Sequence, residues 1–242
     1  MKKTIALILT LITIFLLLSS CNLLKKDTKT PDPVTKPDDL VSNTTEDEKK
    51  EVKDEEKKEE VAEVLITGTL TDNSYSNEAL GISITIPEGW RFASDEEIAK
   101  AMQVGADIMF DDPTEFKEKI KEYPSFFDVM ALESNYGRDN FNIGYTDIVK
   151  TGLGAFVTEP VYVGLLESQF KTMEVYQGAE LSVGKHKLGN VEFSTLSIDS
   201  TKIALQLYQR QYIKKIGSSY LICVTITSPS EEGCDTIASL FK

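Results

Sequence analysis

Directly behind Met1-Lys2-Lys3 stands an uncharged, apolar run of 15 residues, Thr4 to Leu18. A cationic start followed by such a run is the pattern of a secretory signal peptide, at the upper end of its length range. With Ser19 and Ser20 the run reaches 17 residues, the bare minimum for a bilayer span, so an uncleaved membrane anchor is the alternative. Either way, residues 1–20 contribute nothing to a water-soluble core. Residues 22–45 carry Pro31, Pro33 and Pro37 among polar side chains, and bury too little apolar surface to offset their ordering entropy. Residues 46–60 (EDEKKEVKDEEKKEE) include Val52 as their single apolar side chain. At i,i+4 spacing Glu46–Lys50 and Asp54–Lys58 attract and Lys53–Lys57 repels, so a frayed, solvated helix is expected, without a coiled-coil seam. Only residues 63–242, about 180 of them, are left to build a core, and that length is ample.

Leu18-Ser19-Ser20-Cys21 decides between signal and span. An aliphatic residue, two small ones and a cysteine at this place resemble the lipobox of bacterial lipoprotein signal peptides. The resemblance implies that residues 1–20 are removed and that Cys21 takes a diacylglycerol on sulfur as the mature N-terminus. Stable anchoring requires more than one acyl chain, which such a modification supplies. It further implies a cell-membrane location facing outside the cytoplasm, with residues 21–62 as lipidated tether and 63–242 as the domain.

The net charge of −13 is unevenly placed. The tether holds 9 Lys against 13 Asp and Glu, whereas the domain holds 15 Lys and Arg against 26 acids, a net −11. So acidic a body repels phosphate backbones, and nucleic acid is not an expected partner. The same sign disfavours adsorption on anionic headgroups, so the membrane contact is expected to run through the lipid on Cys21. Of the three cysteines, Cys223 and Cys234 remain, outside any CxxC pair, which excludes the common zinc and thioredoxin-like spacings. They form a disulfide or pack as two buried thiols.

Period-two alternation predicts strands over Val64–Leu70, Ile82–Ile86, Phe126–Glu133, Asn142–Thr146 and Glu180–Lys187. Val191–Ile198, Ile203–Ile213 and Tyr220–Thr227 follow as an antiparallel meander, with Gly189-Asn190 and Gly217-Ser218 as turns. Ser94-Asp95-Glu96-Glu97 opens a helix with a capping box, Asp112-Pro113-Thr114-Glu115 opens a second, and Ser228-Pro229-Ser230-Glu231 repeats that grammar before the last. The longest helix is predicted from about Glu159 to Tyr176, its buried stripe being Tyr162, Leu165, Leu166, Phe170 and Met173. Strands and helices interleave without βαβ regularity: an α+β fold, an antiparallel sheet covered by helices. Tyr75-Ser76-Asn77 followed by Leu80 to Trp90 (LGISITIPEGW) resembles the opening of PsbP/DcrB-like domains. The run Gln209-Arg210-Gln211-Tyr212, a glycine turn and Tyr220-Leu221-Ile222 are similar to that group's closing hairpin. That resemblance implies an α/β/α sandwich and carries no shared catalytic residues.

The residues assemble no catalytic constellation. His186 lies between two lysines and reads as a solvated histidine near a hairpin end rather than a triad base, and no GxSxG accompanies it. Asp95/Glu96/Glu97, Asp111/Asp112 and Glu231/Glu232/Asp235 each stand at a helix start, where carboxylates cap free N–H groups. None has calcium-loop spacing, so neither a metal nor a cofactor is expected. Gly152-Leu153-Gly154 lacks the Lys-Ser of a phosphate loop and reads as a backbone bend. Trp90 plugs the core beside Pro87 or walls a cleft. The loop Ser134 to Asn140, with Asn135, Tyr136 and Arg138, is the candidate binding loop. The expectation is a non-catalytic, lipid-anchored domain working by contact with an envelope protein. The rivals are a small-molecule or peptide binder with its cleft near Trp90, and a hydrolase of envelope polymers, which needs two carboxylates facing across a groove.

Overall fold

Residues 67–102, 119–134 and 138–242 are described by a computed structural model. In chain order they form β1 (Thr69–Leu70), β2 (Ser74–Asn77), β3 (Ile82–Thr85), β4 (Trp90–Phe92) and α1 (Asp95–Ala101). Then come β5 (Ser125–Glu133), β6 (Asn140–Asp147), α2 (Glu159–Thr172), β7 (Glu180–Leu188), β8 (Val191–Asp199), β9 (Tyr208–Ile216), β10 (Tyr220–Ser228) and α3 (Glu231–Ala238). Every pairing is antiparallel, and the fold is α+β. The main sheet has seven strands in the order β4-β5-β6-β10-β9-β8-β7, beside a small sheet β1-β2-β3. The chain's last residues join the two. Ser83 and Lys242 exchange backbone hydrogen bonds of 3.0 and 2.8 Å. Gly189 in the β7–β8 turn has φ +57°, and a Cβ there would lie 2.4 Å from the Lys242 backbone, so glycine serves both the turn and the terminus.

Alternation along the strands divides the core between two faces. Leu196, Ile198, Ile213, Leu221 and Cys223 share one face with Tyr162, Val163, Leu166 and Phe170 of α2. Phe193, Tyr212, Ile222, Val224 and Ile226 share the other with Cys234 and Ile237 of α3, and Ile98 and Met102 of α1 join the same cluster. Ile82 and Ile84 bring the small sheet onto that cluster. On the α2 face Phe127 stands directly opposite Gly144, its ring 3.3 Å from where a Cβ would be, so the missing side chain makes room for the ring.

Several sequence expectations shift. Residues 203–207 form turns, and β9 starts at Tyr208. The helix before the C-terminus is capped by Ser230, whose hydroxyl accepts from the Gly233 amide at 3.1 Å, so Pro229 precedes the cap rather than opening the helix. On α2 the buried positions include Val163, while Leu165 is 47% exposed and off the stripe. β2 and β4 were not anticipated. Of the expected strand at Val64–Leu70 only Thr69–Leu70 is strand among described residues, and the helix at Asp112 lies outside them, as do Cys21 and the tether.

Candidate functional site

The densest polar chemistry among the described residues gathers under the first turn of α3. Tyr208, Arg210 and Tyr212 alternate onto the α3 face of β9, and β8 sets Ser197 and Thr195 beside them. The Arg210 side chain is 3% exposed and every arm of its guanidinium is engaged. Nε donates to Ser197 Oγ at 3.1 Å, Nη1 to Asp235 Oδ1 at 2.5 Å, and Nη2 to Tyr208 OH at 3.2 Å and Glu231 Oε1 at 2.9 Å. Burial works against the Arg210 charge, but hydrogen bonds to Tyr208, Tyr212 and Asp235 outweigh it and raise its pKa above the ordinary value. Its carboxylate partners keep 62% and 60% of their side chains in water. A buried cation thus holds α3 on the sheet through two half-solvated anions.

His186 stands within β7, three residues from the turn, and Nδ1 lies 2.8 Å from Thr195 Oγ1. Its ring meets Tyr212 edge-on, with centroids 6.4 Å apart. The residue is exposed and close to the hairpin end, as expected, but it belongs to the strand rather than to the loop. Burial first, and then the Arg210 charge, lower its pKa. A histidine beside a hydroxyl has the outline of a base and nucleophile, but Thr195 is fully buried, where no substrate carbonyl can reach it. The two cysteines are free thiols on opposite faces of the sheet, so the disulfide alternative gives way to packed thiols. Burial pushes Cys223 up to about 11 and Cys234 to about 12, which leaves both unreactive at neutral pH.

A second network fastens the small sheet to the bulge in β5. Asp128 lies in the register shift between Phe127 and Val129, and its Oδ2 accepts from Tyr75 OH at 2.6 Å and from the Gly68 amide at 2.7 Å. Asn77 Nδ2 donates to Tyr75 OH at 3.0 Å and Tyr145 OH at 2.6 Å. Burial, and then the Asp128 charge, raise the pKa of both tyrosines well above the ordinary phenol.

Trp90 opens β4 half-buried, stacked on Phe141 at 6.3 Å, with its amide donating to Pro87 O. That is the core-plug alternative rather than a cleft wall. Of the candidate loop, Asn135 and Tyr136 lie outside the described residues. Arg138 is exposed and donates to Gln206 O, so it ties its loop to the β8–β9 connection. A cavity of about 10 Å³ lies on the α2 side of the sheet, lined by Ser125, Phe127, Tyr162, Leu166, Gln211 and Cys223. It has room for one water and is far below the roughly 300–1,000 Å³ of a ligand pocket. The acidic clusters at Asp95–Glu97 and Glu231–Asp235 stand on separate helices. Asp111 and Asp112 lie outside the described residues. No group of three or more metal-ligating side chains forms among the described residues. No described helix is long and apolar enough to cross a membrane.

Arg210 was the residue sequence reasoning missed. Its signal was a charge alternating with two tyrosines in a strand otherwise destined for burial. The Asp128 network left no such trace.

The described residues thus define an antiparallel α+β sheet domain whose charged interior groups serve its own packing. Neither a protein-family profile nor a curated protein matches the chain. Among solved structures, a protein of Bacteroides thetaiotaomicron is similar at 11% identity and a TM-score of 0.33, over 72% of this chain and 48% of that one. This chain therefore spans about half that protein's length. LpqN of Mycobacterium tuberculosis, described as involved in cell envelope biogenesis, is similar at 8% identity and a TM-score of 0.33, over 73% of this chain and 88% of its own.

Proposed function

We propose that this chain is a membrane-anchored lipoprotein whose domain works outside the cytoplasm by contact with another envelope protein, without a reaction of its own. Leu18-Ser19-Ser20-Cys21, placed directly after a cationic start and an apolar run, carries the reading. The non-catalytic part draws support from how the reactive groups are used. Arg210 is saturated by its own neighbours, Thr195 is sealed beneath the sheet's cover, and Cys223 and Cys234 are buried thiols. The finer fold type we take to be PsbP/DcrB-like. It is supported by the strand β3 leading through Pro87 to Trp90, and by the closing hairpin β9–β10 followed by α3.

Two measurements test the proposal. Cells fed radioactive palmitate should label the wild-type chain and leave Cys21→Ala unlabelled; equal labelling of both sinks the anchor. Crosslinking on intact cells followed by mass spectrometry should recover a consistent protein partner. A partner-free outcome, with a ligand-dependent rise in melting temperature, would instead support the small-molecule binder.

A further inference from the structure

The acidic domain is not acidic everywhere. At the end of the sheet where β5 begins, β6 ends and β9 turns into β10, lysines 119, 121, 150, 214 and 215 converge. Lys150 Nζ donates to the backbone oxygen of Lys121 at 3.1 Å, and Lys215 Nζ donates to the oxygens of Ala155 and Val157 at 2.5 and 3.0 Å. Of the four acids among the described residues at this end, two are turned inward. Asp147 is 11% exposed and accepts from the amides of Val149 and Lys150, and Glu159 is 23% exposed and accepts from the amide of Lys215. Glu122 and Glu192 face water but pair with Lys119 and Lys185, at 2.6 and 2.9 Å. Among the described residues the ammonium groups at this end outnumber the carboxylates, in a domain of net −11.

Beside Lys215 rises Phe156, 97% exposed, on a loop whose Gly152 and Gly154 have φ of +75° and +84°. The carbonyls that flank its ring are those that Lys215 holds. Val149, next to Lys150, is 59% exposed, and Val161 and Leu165, one turn apart on α2, are 53% and 47% exposed. One protruding ring is too little area for a stable protein interface, which requires roughly 1,000 Å². An aromatic tip on a lysine-bearing end instead matches a lipid surface, where the ring enters below the headgroups and the lysines meet their phosphates.

We propose that this end of the domain docks on the anionic headgroup surface of the membrane, with Phe156 inserted and the lysines 119, 121, 150, 214 and 215 against lipid phosphate. The inference rests on the anchoring reading for bringing the domain to a bilayer. A tether of the composition expected for residues 22–62 imposes no orientation of its own. Orientation therefore falls to charge: the remainder of the surface is repelled by the same headgroups that attract this end.

The test uses the full chain with Phe156→Trp, and with Ala204→Trp in the β8–β9 loop at the other end of the sheet. Each is mixed with vesicles of brominated phosphatidylglycerol and phosphatidylcholine, or of phosphatidylcholine alone. Quenching beyond that of the Trp90-only parent is measured on chain that sediments with the vesicles. The orientation is thus read whatever attaches the chain, while palmitate labelling reports on Cys21 separately. Position 156 should be quenched several-fold more than position 204 on anionic vesicles, and that excess should fall with Lys150→Gln/Lys214→Gln. For sedimentation of the chain without lipid on Cys21, Phe156→Ser should weaken binding about tenfold. Equal quenching at both positions overturns the proposal, as does a position-156 signal indifferent to anionic lipid. Crosslinking of two chains through residue 156 overturns it too, assigning the surface to a second copy.

Discussion

Neutralising the two anions over Arg210 is expected to harm the fold more than removing the cation. In Glu231→Gln/Asp235→Asn a guanidinium that is 3% exposed keeps its charge and loses both counter-ions. Orphaning a buried charge costs about 3–5 kcal/mol, while exposed pairs contribute about 0–1 kcal/mol. With the carboxylates 62% and 60% exposed, the double variant falls between these limits, at about 2–3 kcal/mol. Arg210→Met instead leaves carboxylates that water can solvate, and costs about 1–2 kcal/mol, chiefly from the lost bonds to Tyr208 and Ser197. Adding Arg210→Met to the double variant should therefore restore stability rather than lower it further. Urea unfolding followed by Trp90 fluorescence reads the order directly, and calorimetry should show a drop of about 4–12 °C for the double variant. A double variant more stable than Arg210→Met, or a triple variant less stable than the double, would refute the account of a buried cation held by solvated anions.

Other consequences follow from single contacts. The Arg91 guanidinium beside Glu97 holds that carboxyl at about 2, against the opposing effect of burial and with help from the Ser94 amide. A depressed carboxylate stabilises above its unfolded pKa and loses that contribution as pH falls through its folded one. Glu97→Gln should thus flatten the decline in stability from about pH 4.5 towards pH 2, and cost no more than about 1 kcal/mol at neutral pH, as urea melts across that range would show. Folded Cys21→Ala chain should leave both remaining thiols untouched by a thiol-reactive dye at pH 8 and release two in denaturant; fewer than two would bring back the disulfide. Tyr75→Phe removes a buried hydroxyl bonded to Asp128 and Asn77, and should cost about 1–3 kcal/mol by denaturant midpoint, with faster amide exchange in β1–β3.

The long strands β5, β7 and β10 were legible because each runs for nine residues, long enough for a period of two to stand apart from the helical period of 3.6. β3, at four residues, showed its period because Ile82, Ile84 and Ile86 alternate through and past it, whereas β2 (SYSN) and β4 (WRF) carry no such aliphatic alternation. Ile203, Leu205 and Leu207 alternate as convincingly as a strand, yet Gln206 sits at φ +52° and the backbone turns there. On α2 the sequence places apolar side chains on both sides, so helical periodicity alone does not separate buried Val163 from exposed Leu165. The Arg210 cluster was hidden for another reason. Its members come from β8, β9 and α3, and only the register brings Ser197 opposite Arg210 beneath the α3 carboxylates. The acids at Glu231 and Asp235 looked like helix-end charges because they are at a helix end; their partner lies across the sheet interface.

β10 occupies the middle of the seven-stranded sheet, between β6 and β9, and follows both of them in the chain. Until it arrives, β6 and β9 each present an open edge, and the two halves of the sheet have no strand to join them. A ribosome or an export channel that delivers the chain from its N-terminal side therefore passes β6 and β9 before the strand that joins them. Premature compaction is postponed by the order of the strands themselves, and a chain truncated before Tyr220 should expose two unpaired edges and aggregate.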